Sequence, residues 1–101
     1  MSDLYFSRFV IQHFNNAQII EFFKNKKKYK FFILTIINPV DYKYVNKDIK
    51  PGWWTRIDYS SYLDLSKKPF FIKNIKMIFQ QKIKEVHREK EVYFETFLIT
   101  N

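Results

Sequence analysis

The chain has no cysteine. That single absence removes disulfide frameworks, thiolate metal sites and cysteine nucleophiles. Glycine occurs once, at Gly52, so no glycine-rich phosphate loop can be built. Alanine also occurs once, at Ala17, and arginine only three times. Scarce arginine weighs against readings that need bidentate contacts to phosphates or base edges. Long apolar runs are missing as well. The longest, at 31–37, is interrupted by Thr35 and bounded by Lys30 and Asn38. It falls far short of the ~20 residues that span a bilayer, so no membrane partner is expected. The first residues, Met1, Ser2 and Asp3, have neither the basic segment nor the cleavage site of a signal peptide. The expected location is cytoplasmic, the default for a chain without cysteine.

What the chain does have is lysine and aromatic bulk. Fifteen Lys give a net charge of +8 over 101 residues, alongside 12 Phe and 7 Tyr. Phe, Ile, Lys, Asn and Tyr make up 54 residues, and these are types that AT-rich codons specify. A hydrophobic content of 47% is too high for disorder. Residues 1–101 are expected to fold as a single α+β domain burying about two-thirds of the unfolded surface. The charge balance points to an acidic partner.

Along the chain, residues 4–14 are rich in aromatic and β-branched side chains and read as a strand, with a helix as the competing reading. Asn15 and Asn16 offer a turn and helix cap, and 17–25 follows as a short helix burying Ile19, Ile20, Phe22 and Phe23. Residues 31–37 (FFILTII) are apolar on both alternations, which predicts a central strand covered on both faces and ended by Pro39. Pro51 and Gly52 mark a turn, and 53–59 (WWTRIDY) reads as a strand. Pro69 suits a helix start, and 70–88 carries Ile72, Ile75, Phe79, Ile83 and Val86 at helical spacing. Residues 92–99 read as a last strand. The favoured architecture is a two-layer sandwich with ferredoxin-like strand–helix–strand–strand–helix–strand order. If 4–14 is a helix, the alternative is a three-stranded sheet with two helices.

Three groups stand out as candidate partner contacts. On the expected 70–88 helix, Lys73, Lys76, Gln80, Lys84 and His87 fall on one flank and Glu85 and Glu89 on the other, which gives a one-sign ridge. On the expected 53–59 strand, Trp54 and Arg56 share the face opposite Ile57 and Tyr59, and these two residue types dominate interface hot spots. Lys26, Lys27 and Lys28 form a basic run past the first helix, where they either balance the helix dipole or bind an acidic group.

Catalytic signals are few. There are two histidines, and the repelling charges of Arg88 and Lys90 beside His87 oppose a metal there. No metal or cofactor is expected. A metal-independent ribonuclease using His13, Arg56, Tyr59 and His87 is conceivable, but no spacing selects those residues. The third-strand signature of RNA-recognition domains is absent from 53–59. The sequence thus favours a non-enzymatic module that inhibits or neutralises an acidic protein, in the class of toxin-immunity proteins and phage-encoded inhibitors of host defence. The alternative is a basic nucleic-acid-binding protein.

Overall fold

A computed structural model describes residues 4–25, 29–50, 55–86 and 89–100. It is an α+β fold built on one four-stranded mixed sheet. The strands are β1 (Leu4–Arg8), β2 (Phe31–Pro39), β5 (Ile75–Glu85) and β6 (Lys90–Thr100), in the order β1-β2-β6-β5. β1 and β2 are parallel and are joined through helix α1 (Asn16–Asn25), the long crossover that parallel pairing requires. β2–β6 and β6–β5 are antiparallel. Between β2 and β5 runs an irregular stretch with a small parallel pair, β3 (Tyr44–Val45) and β4 (Ser61–Tyr62).

Local signals explain several elements. Asn15 and Gln18 cap α1 reciprocally: each backbone N–H donates to the other's side-chain oxygen, at 2.9 and 2.8 Å. β2 starts and stops where the apolar run and Pro39 predict. Strand β1 is shorter than expected, because Phe9 turns into the left-handed region (φ 59°) and a 3₁₀ turn at Ile11–His13 follows.

The core lies on one face of the sheet. Phe32, Leu34, Ile36 and Ile99 meet Ile11, Ile19 from α1, and Leu63 and Leu65 from the irregular stretch. Aromatic rings seal the α1 side: Tyr5 meets Phe22 at 5.4 Å and Phe23 meets Phe32 at 5.7 Å, both near edge-to-face. Ile20, expected inside, is 45% exposed.

Two expectations are corrected. Residues 70–86 of the expected 70–88 helix are not helical. Ile75–Glu85 is a strand paired over its length with β6, with a bulge between Met77 and Phe79. The bulge shifts the side-chain alternation by one residue. Ile75 therefore faces the core while Phe79 and Ile83 face the other side, even though the three recur at the four-residue spacing that a helix also produces. Residues 56–59 are not a strand either. Thr55 and Asp58 form a capping box that starts a 3₁₀ turn, Arg56–Tyr59, which closes at Ser60 in the left-handed region. With one α-helix among the described residues and β1 paired directly to β2, the sheet takes neither the ferredoxin-like order nor the three-stranded, two-helix alternative.

Candidate functional site: an uncovered sheet face

Residues opposite one another in register share a face of the sheet. The face away from α1 therefore carries three consecutive rows. Leu4, Phe31 and Thr100 form one; Phe6, Ile33, Leu98 and Lys76 the next; Arg8, Thr35, Thr96 and Phe79 the third. Ile37 and Phe94 continue it toward the β5–β6 hairpin. None of the apolar residues in these rows belongs to the core cluster or packs against it, although farther along the same face Val92, in register with Pro39 and Ile83, is fully buried. Phe6 is 63% exposed and Phe79 52%, with Leu4 and Phe31 also exposed.

A sheet with one wet face ordinarily alternates apolar-in with polar-out. Here the outward positions are Leu, Phe and Ile. Its polar members include the Thr35–Thr96 hydroxyl pair, 2.9 Å apart and satisfied by itself, and Gln81 opposite Phe94. One corner is closed by Phe9, whose left-handed backbone swings its ring against Phe94 at 5.2 Å while the Arg8 guanidinium lies 4.8 Å above it. Cations flank the apolar centre, Arg8 on the β1 edge and Lys76 on the β5 edge. The acid on this face, Glu85, stands at the hairpin end opposite Lys90.

The sequence-predicted residues are scattered. Arg56, expected at the surface, is fully buried. Its guanidinium donates to the backbone carbonyls of Lys47 (2.8 Å) and Phe14 (3.0 Å), tying the 3₁₀ turn to two distant loops. Burial lowers its pKa to about 10, partly offset by the attraction of Asp48, so it stays charged at neutral pH. Lys73 lies in the loop before β5. Lys76 and Lys84, on either side of the bulge, point to opposite faces of the sheet, so the expected one-sided ridge does not form. Trp54, His87, Lys26, Lys27 and Lys28 lie outside the described residues. Of the ribonuclease candidates, Arg56 is inaccessible to a substrate, and the Tyr59 hydroxyl lies 3.4 Å from the Lys50 backbone N–H that donates to it. The Nδ1 of His13 is buried without a hydrogen-bond partner.

The sequence reading missed a buried polar cluster on the core face. The Glu95 carboxylate, fully buried, accepts from Tyr62 (2.7 and 2.9 Å), Asn38 (2.8 Å) and Gln80 (2.8 Å). Asn38 also exchanges hydrogen bonds with the Leu63 backbone in both directions. Burial, and then the bond to Glu95, pushes the Tyr62 phenol far above its ordinary pKa. Each donor here serves the fold, locking β4 to the sheet through satisfied partners. Among the described residues, no three His, Asp or Glu side chains converge as metal ligands, and no helix is long and apolar enough to cross a membrane.

No protein-family model matches the chain, and neither a curated protein nor a solved structure matches it significantly.

Proposed function

We propose that the protein is a non-enzymatic binding module that docks an acidic protein partner on the uncovered sheet face. One observation carries the reading. β2 is apolar on both alternations, yet among the described residues the core cluster lies on one side of it, while Leu4, Phe6, Phe31 and Phe79 on the other side stay exposed. Contiguous apolar surface of this kind, rimmed by polar groups, marks interaction sites in soluble proteins. Phe6, Phe31 and Phe79 supply the anchors, and Arg8 and Lys76 supply the charge that selects a carboxylate-rimmed patch. The net charge of +8 speeds encounter with such a partner and opposes docking of a second copy of the same chain. Action by occlusion fits small accessory inhibitors of the toxin-immunity or phage anti-defence kind, and the cytoplasm is the compartment we assign.

The test is affinity capture with the wild-type chain and a Phe6→Asp/Phe79→Asp variant, followed by reconstitution from purified components. The expected binder is an acidic protein. Losing one aromatic anchor at the centre of an interface typically costs about thirtyfold in affinity, so the double variant should lose at least that. A variant that binds as tightly as the wild type would remove the sheet face from the account. Submicromolar binding of random oligonucleotides at physiological salt, with a steep salt dependence, would replace the protein partner with nucleic acid.

A further inference from the structure

A second apolar feature lies on the opposite side of the molecule, where α1 meets the 69–74 segment. It is an open groove of about 430 Å³ floored by Phe23, Phe32, Phe70, Ile72 and Ile99. A lobe of about 140 Å³ continues it past Pro69 and shares Ile20, Phe23, Phe70 and Ile72. The groove has a polarity. Lys24 and Lys73 line the main chamber, while the lobe is lined by apolar residues alone. No acidic residue lines either part. Among the described residues, neither lysine has an ion-pair partner. Phe71 holds the rim in a left-handed conformation (φ 50°), which places its ring outward, 63% exposed. A bulky residue adopts that backbone only at a cost in strain.

We propose that this groove binds a single-chain alkyl carboxylate of the fatty-acid class. The tail would run toward Pro69 and the carboxylate would sit between Lys24 and Lys73. Two observations favour an alkyl chain over a peptide. The floor is apolar throughout, and the cations, with Asn74 and Thr100, line only the main chamber and not the lobe, which matches an amphipathic anion in charge. Backbone donors around it are already engaged: Phe70 and Phe71 donate to the Lys67 carbonyl, Ile72 to Leu65 and Thr100 to Asn74. A peptide main chain would leave its own polar groups unpaired against these residues, whereas an alkyl chain has none to satisfy. The volume lies toward the small end of ligand pockets, suited to a medium-length chain.

The test is an NMR titration with sodium decanoate below its micelle threshold. Saturable shifts are expected at Ile20, Phe23 and Ile72. Octanoate should bind about fifteenfold more weakly if both of the lost methylenes are buried, since each buried methylene adds affinity. Decan-1-ol, which has the tail without the charge, should bind about fivefold more weakly, the scale of partly exposed ion pairs. A Lys24→Glu/Lys73→Glu variant should keep its melting temperature, because both side chains are exposed and unpaired, and should bind decyltrimethylammonium in preference to decanoate. The proposal is overturned by the absence of saturable shifts, by shifts at Ile33, Phe94 and Leu98 of the sheet face instead, by equal affinity for decanol, or by unchanged decanoate affinity in the variant.

Discussion

Arg56 shows how a residue type can mislead while its neighbours inform. An Arg sharing an expected strand face with Trp54 reads as a surface anchor, but its partners are backbone carbonyls of Phe14, 42 positions away, and Lys47. No local pattern reveals such a bond. The Thr55–Asp58 pair around it was legible, because Thr-x-x-Asp is a capping signature that ends a strand reading. Arg56→Ala should therefore cost about 2–5 kcal/mol of stability, since it removes the hydrogen bonds that tie two loops together and empties a fully buried site. Urea denaturation will measure it; a loss below about 0.5 kcal/mol would return Arg56 to the surface. Tyr62 supplies a pH signature. In the folded state its proton is held above the ordinary tyrosine pKa of about 10, while the unfolded chain releases it near that value. The native state then binds more protons above about pH 10, so this contribution to stability is complete below pH 10 and is lost as pH rises. In Tyr62→Phe the fall in urea midpoint between pH 9 and 11 should be shallower than in the wild type. Parallel falls would mean that the phenol is not held by Glu95.

At the scale of elements, β2, β6 and α1 were readable because local chemistry and tertiary fate agree in them. β2 is an unbroken apolar run stopped by Pro39, and α1 carries an Asn–Gln capping pair before its apolar stripe. β5 was not readable. A bulge between Met77 and Phe79 breaks the two-residue alternation, so Ile75 and Phe79, whose four-residue spacing suggests one helix stripe, fall on opposite faces of the strand. Only pairing with β6, a long-range fact, decides the matter. The consequence is measurable at Phe79. A helix stripe would bury it in the core, where truncation costs about 3–5 kcal/mol. On the open sheet face, Phe79→Ala should cost less than about 1 kcal/mol. A loss in the core range would restore the helical phase.

At the scale of the whole molecule, the apolar excess in the sequence and the one-sided packing of the sheet express the same imbalance. Among the described residues, α1 and the loops leave outward-facing Phe and Leu side chains exposed. That surplus was visible as a strand apolar on both alternations, but which face would stay open was not, since it depends on where α1 and the 40–72 stretch come to rest. The site residues read from charge alone were dispersed for the same reason. Lysines sorted on a helix become split between two faces once the element is a bulged strand. The most direct test of the account is methyl cross-saturation NMR on the labelled protein bound to its reconstituted partner. Saturation should reach the methyl groups of Ile33, Ile37 and Leu98 and spare those of Ile19, Leu63 and Leu65 in the core. Saturation confined to residues outside the sheet face, with Ile33 and Leu98 untouched, would contradict the claim that this face is where the protein binds.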